Sequence, residues 1–197
     1  METTAKKLRN PYTAAMLVGV VNETLVDVLG CSISDLAPDM SIGNDLAAES
    51  LDFVEIRYNL ERRLGISLPQ RSVIDQLAIL CPNISAVAAN GQLTEFGADA
   101  LRGSIFNYSE GLVHEGARPA EIMQGATINN WASLCLGILD CLPTACPDCN
   151  HTEALISRTG KPACSACGTV IKPLSGDDAL AMTTEAWLRS AQSSLAA

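Results

Sequence analysis

Asp45-Leu46-Ala47-Ala48-Glu49-Ser50-Leu51-Asp52-Phe53-Val54-Glu55-Ile56 is the segment from which the rest of the chain is best read. Ser50 reads as a helix N-cap, and Asp52 puts a negative charge in the first turn, where the helix dipole favours it. Gly65 ends the helix. Phe53, Ile56, Leu60 and Leu64 form one apolar line, with Leu51, Val54 and Tyr58 beside it. Glu49, Asp52 and Glu55 recur every three residues and form an acidic face along the same helix.

On the N-terminal side, Leu17, Val20, Val21, Leu25 and Val28 make a helical stripe over Thr13 to Leu29, closed by Gly30. Cys31 to Glu49 then reads as a loop broken by Pro38, Gly43 and Asn44. On the C-terminal side, Val73 to Leu80 predicts a short helix ended by Pro82, and Leu93-Thr94-Glu95 opens another that reaches about Ile105. Trp131, Leu134, Cys135, Ile138 and Leu139 lie at i, i+3, i+4, i+7 and i+8, the cleanest helical stripe in the chain.

The segment around Ser50 resembles the phosphopantetheine attachment motif of acyl carrier proteins, D-L-G-x-D-S-L-D-x-V-E-L. Asp45, Leu46, Ser50, Leu51, Asp52, Val54 and Glu55 match it, while Ala47 stands where the pattern has glycine and Glu49 where it has aspartate. Leu64-Gly65-Ile66-Ser67-Leu68-Pro69 resembles the family's F-G-I-x-I-P, and Thr127 to Leu142 looks like its last helix. The resemblance implies a carrier-like helical bundle over residues 10–142, with an insertion at about 70–125. It implies that a phosphopantetheinyl transferase moves 4′-phosphopantetheine from coenzyme A onto Ser50, and that the arm's thiol carries an acyl group as a thioester. Its further partners would be acyl-loading, condensing or modifying enzymes. The acidic face at Glu49, Asp52 and Glu55 is suited to steering basic docking patches on them.

Four of the eight cysteines fall in one window, as Cys146-Pro147-Asp148-Cys149 and Cys164-Ser165-Ala166-Cys167. Two such knuckles place four thiolates on one ion, and soft ligands in tetrahedral geometry suit Zn²⁺, with iron as competitor. A four-thiolate site has no open position, so the metal is expected to be structural. Ala154 to Lys161 reads as a strand followed by a Gly-containing turn, and Thr169-Val170-Ile171 as the return strand of a zinc ribbon over 143–174. Two disulfides and a redox CxxC are the competing readings. His151 could substitute as a donor. Residues 175–197 are compatible with an amphipathic helix bearing Leu180, Trp187, Leu188 and Leu195. Cys31, Cys81, Cys135 and Cys141 read as buried small hydrophobes, and His114 has no partner motif.

The fold class expected is thus mainly α, with a small β ribbon and a C-terminal helix. The chain has 197 residues, 48% of them hydrophobic and 4% aromatic, which excludes a largely disordered polymer. Its net charge of −9 disfavours nucleic acid as a partner, since phosphate binding needs positive charge. The apolar run Ala14 to Val21 is too short to span a bilayer, so a cytoplasmic location without membrane contact is expected. With two histidines and no Ser/His/Asp pattern the chain does not read as an enzyme. The alternative to a carrier is an unmodified carrier-like adaptor or regulator that works through its ribbon.

Overall fold

The computed structural model describes residues 8–80 and 87–195. Three helices build the carrier-like core: α1 (Ala14–Leu29), α2 (Ser50–Leu64) and α6 (Ile128–Leu139). Each is set by local signals. Thr13 caps α1 by accepting from the Met16 N–H, and Gly30 closes it with φ +67°. Thr127 caps α6 by accepting from the Asn130 N–H. Leu17, Val21 and Leu25 of α1 meet Ile56 and Leu60 of α2 and Ile138 of α6, all fully buried. At roughly 1.5–3 kcal/mol per large apolar side chain removed from water, this seam dominates the stability of the bundle.

The insertion is a small unit with its own core rather than a loose connection. It contains α3 (Val73–Leu80), the hairpin β1 (Ala88–Ala89) and β2 (Gln92–Leu93), α4 (Glu95–Arg102) and α5 (Pro119–Gly125). α4 stops at Arg102, three residues short of the expected end, because Gly103 follows and its α-carbon lies against the Trp187 ring. The hairpin turns through Asn90 and Gly91, both at positive φ, and α5 starts on Pro119. Val73, Leu77, Leu93, Leu101 and Ile122 form the insertion's cluster together with Leu180 of α7 (Gly176–Leu195). Ile105, Phe106 and Tyr108 pack against both this cluster and the carrier core.

α7 therefore covers the insertion and also reaches the carrier core through Ala179. Trp187 meets Phe96 with ring centroids 5.5 Å apart. Asp177 in its first turn accepts from the Gln70 and Arg71 N–H groups at 2.9 and 3.0 Å. Gly176 lies so close to Leu68 and Pro69 that an added Cβ would fall 2.3 Å from the Pro69 nitrogen.

The ribbon pairs β3 (Ala154–Ile156) with β4 (Pro162–Cys164), antiparallel, with Leu155 opposite Ala163. The expected return strand over Thr169–Ile171 is reduced to one bridge, Val170 to Ala163. The hairpin closes earlier because Cys164 must stand on β4 to reach the other thiols. Leu8, Leu142 and Ile171 form its small core with Cys146 and Cys164. Of the cysteines read as core, Cys135 and Cys141 are buried and Cys31 is half-buried. Cys81 lies outside the described residues, as does the Leu195 side chain. No helix of the described residues is long and apolar enough to cross a membrane.

Candidate functional site

Ser50 is exposed and is the first helical residue of α2. The helix cap is one residue earlier than the sequence suggests: Glu49 holds the N-cap position, and its N–H donates to Asp52 Oδ2 at 2.7 Å. The capping function thus falls to the Glu49–Asp52 pair, which leaves the Ser50 hydroxyl free for chemistry at the positive end of the helix.

The loop that presents Ser50 is pinned from behind. Asp45 Oδ2 accepts from the Ser41 N–H and hydroxyl, each at 2.7 Å. These bonds, the backbone one foremost, hold the Asp45 carboxyl below its ordinary value. The Ile42 N–H donates to Ala126 O and the Asn44 N–H to Gln124 O, at 3.1 and 3.2 Å. At Gly43 the two segments come so close that a Cβ would sit 2.7 Å from the Gln124 carbonyl oxygen. Ala47, in the position the attachment motif gives to glycine, has φ +55°. The motif glycine is thereby explained as a left-handed turn, which alanine adopts here only at a cost.

Along α2 from Ser50, Leu51, Val54 and Tyr58 are 82%, 63% and 62% exposed. Glu49 and Glu55 are exposed beside them, and Asp52 is half-buried and occupied by the cap. The predicted acidic face is thus joined by an exposed apolar stripe, the residues that stand beside the Phe53, Ile56, Leu60 and Leu64 line.

The four predicted metal ligands come together. Their sulfur atoms all lie within 4.8 Å of one another, with Cys146 and Cys167 at 3.6 Å and Cys149 and Cys164 at 3.5 Å. A tetrahedron of metal–sulfur bonds near 2.3 Å has edges of about 3.8 Å, so the set fits one ion. The spacing is well beyond the ~2.05 Å of a disulfide, and no disulfide forms among the described cysteines. The Thr169 hydroxyl donates to Asp148 Oδ2 at 2.6 Å and accepts from Cys167, joining the two knuckles. His151 stands outside the thiol cluster, its ring 3.8 Å from Glu153. His114 is exposed, with Nδ1 2.7 Å from the Glu115 carbonyl.

The ribbon is braced on α2. Tyr12 donates to the Gly160 carbonyl oxygen, Gly160 also lies against the Arg63 carbonyl, and the Lys161 stem covers Gly65 at the end of α2. The attachment loop and the ribbon's hairpin turn thus lie at opposite ends of one helix.

Residues 20–90 match the family profile described as "Phosphopantetheine attachment site". The chain therefore carries an acyl-carrier-like phosphopantetheine attachment segment, with α6 and the ribbon lying outside the matched residues. Among curated proteins, the acyl carrier protein of Porphyromonas gingivalis is 39% identical over 49 residues, 25% of this chain and 63% of that protein. The acyl carrier protein of Rubrobacter xylanophilus is also 39% identical over 49 residues, covering 60% of its length. The chain thus spans less than two thirds of the curated relatives it matches. No solved structure matches it.

Proposed function

We propose that the protein is an acyl carrier whose arm is joined to Ser50. The observation that carries this reading is an exposed serine at the head of α2, inside the matched segment, on a loop pinned by Asp45 and Gly43. In the loading step the Ser50 oxygen attacks the pantetheine-bearing phosphorus of coenzyme A. The pyrophosphate bond breaks, adenosine 3′,5′-bisphosphate leaves, and the serine proton passes to the phosphopantetheinyl transferase. The resulting phosphodiester sits at the helix N-terminus, where the dipole favours its charge. The carrier supplies no catalytic group of its own and acts in the cytoplasm, handing thioesters between enzymes of a fatty-acid, polyketide or related route.

The docking surface is Leu51, Val54 and Tyr58 flanked by Glu49 and Glu55, with Asp52 contributing from the cap. A partner with a basic rim and an apolar centre fits it. Cys146, Cys149, Cys164 and Cys167 hold a structural Zn²⁺, and the ribbon of 143–174 braces α2 or offers a further docking face. Division at about 143 and 175 is supported by the largely separate apolar clusters, with Leu180 of α7 in the insertion's cluster and Ala179 in that of the core.

Incubation with coenzyme A and a broad-specificity phosphopantetheinyl transferase, read by intact-mass spectrometry, tests the carrier reading. One phosphopantetheine adduct is expected, abolished by Ser50→Ala. No adduct where a control carrier is modified overturns it and leaves an unmodified adaptor.

A further inference from the structure

Between α2, α6 and the insertion lies a cavity of about 550 Å³. That is the size of sites that take drug-sized ligands. Its walls come from three separate parts of the chain: Phe53 and Arg57 of α2, Trp131 and Leu134 of α6, and insertion residues including Leu101 and Ile122.

Two features set its chemistry. The chain has eight aromatic residues, and four of them (Phe53, Phe106, Tyr108 and Trp131) line this one cavity. They stand as two stacked pairs, Phe53–Trp131 with centroids 6.0 Å apart and Phe106–Tyr108 at 5.2 Å. Flat π faces reward a ring more than a flexible alkyl chain. The second feature is a set of hydrogen-bond donors in the lining, from Arg57, Arg71 and Tyr108. Arg57 donates one bond to the Pro69 carbonyl at 2.8 Å and keeps its other N–H groups. Arg71 is exposed, and its guanidinium donates no hydrogen bond to the described residues. The Tyr108 hydroxyl has no hydrogen-bond partner among the described residues, and burial raises its pKa, so it stays a neutral donor. The carboxylate of Asp75 lies near Arg71 but already accepts from the Ser72 N–H and hydroxyl.

Ser50 and Phe53 are three residues apart, about 4.5 Å along the helix axis, and Arg57 is about 10 Å from Ser50. An arm on Ser50 reaches the cavity without leaving the protein surface. We infer that this cavity receives the acyl group of the carrier's own arm and selects a ring-bearing acyl group with an anionic or acceptor substituent over a straight saturated chain. The inference rests on the carrier reading. It assigns the insertion a role as the wall that fixes cargo class.

The test loads Ser50 of the full chain from synthetic coenzyme A thioesters bearing octanoyl, benzoyl or 4-carboxybenzoyl groups. Cleavage by hydroxylamine is followed by intact-mass spectrometry. Each rate is divided by that of the same thioester on free pantetheine, which removes intrinsic reactivity. Benzoyl is expected to be shielded about threefold to tenfold more than octanoyl, the scale of one aromatic contact. 4-Carboxybenzoyl is expected to be shielded further, and Arg71→Gln to remove only that last increment. Equal shielding of octanoyl and both ring acyl groups overturns the inference while leaving the carrier reading intact. A 4-carboxybenzoyl group shielded no better than benzoyl, or unaffected by Arg71→Gln, overturns the assignment of the donors. If Ser50 accepts no arm from any donor, the carrier reading falls and this inference with it.

Discussion

The carrier core and the ribbon are stabilised by different means within one chain. The core draws on a continuous set of fully buried aliphatic side chains from α1, α2 and α6. The ribbon has Leu8, Leu142 and Ile171, and beyond them little except four sulfur atoms. A region of that size has little apolar burial to fold on, so under the proposed reading of its four thiols as metal ligands it relies on cross-linking by an ion. The attachment site belongs to the first region and sits on the end of α2 away from the second.

Removing one ligand draws the contrast most sharply. Cys164→Ser is expected to unfold the ribbon, since structural zinc supplies on the order of 10 kcal/mol to such modules. Hydrogen exchange is expected to show lost protection over 146–171 and retained protection in α1, α2 and α6. Uniform loss would mean that the two regions are a single cooperative unit. Ile56→Ala, in the fully buried α2 seam, should cost about 2–5 kcal/mol and lower the melting temperature of the bundle, leaving metal stoichiometry unchanged.

Smaller changes probe the joints. Tyr12→Phe deletes the hydroxyl that reaches Gly160 and is expected to cost about 0.5–1.5 kcal/mol, read as faster exchange at the ribbon hairpin. Ala47→Gly relieves the left-handed strain and should stabilise by about 0.5–1 kcal/mol, which thermal melting can resolve. Asp45 gives the smallest effect and a pH signature. Its carboxyl is held below the ordinary 3.8, so its bonds to Ser41 contribute fully above that value and are lost as pH falls through the lower, folded value. The difference in melting temperature between wild type and Asp45→Asn should therefore close in acid and persist at neutral pH.

Much of this was legible because the signals are local. The stripes Leu17-Val21-Leu25 and Trp131-Leu134-Ile138 repeat at helical spacing, and two CxxC knuckles at ribbon distance leave few arrangements. The boundary at Ser50 was off by one residue because a glutamate can hold the cap when an aspartate stands three residues later. The strand at Pro162–Cys164 was missed because its pairing is dictated by where a ligand must stand, not by β-propensity. The hairpin and α5 were not read from the sequence, although Asn90-Gly91 and Pro119 carry local signals for them. Nothing in the sequence marked the exposure of Leu51 and Val54, or the cavity, since both depend on which surface the insertion covers. Leu51 and Val54 are of the same apolar type as the buried line beside them, and the aromatic walls lie far apart in the chain.

The place of α7 has a consequence for synthesis. Its Leu180 completes the cluster begun by Val73, Leu77 and Leu101, yet it is made long after them. Between Arg102 and Gly176 the ribosome adds some 70 residues, roughly 4–15 s of translation. For that interval α3 and α4 wait with an open apolar flank, while α6, made within the same interval, joins α1 and α2 before α7 is made. The nascent chain is thus expected to hold a finished carrier core before its insertion is sealed, and chaperone dependence should concentrate in that window.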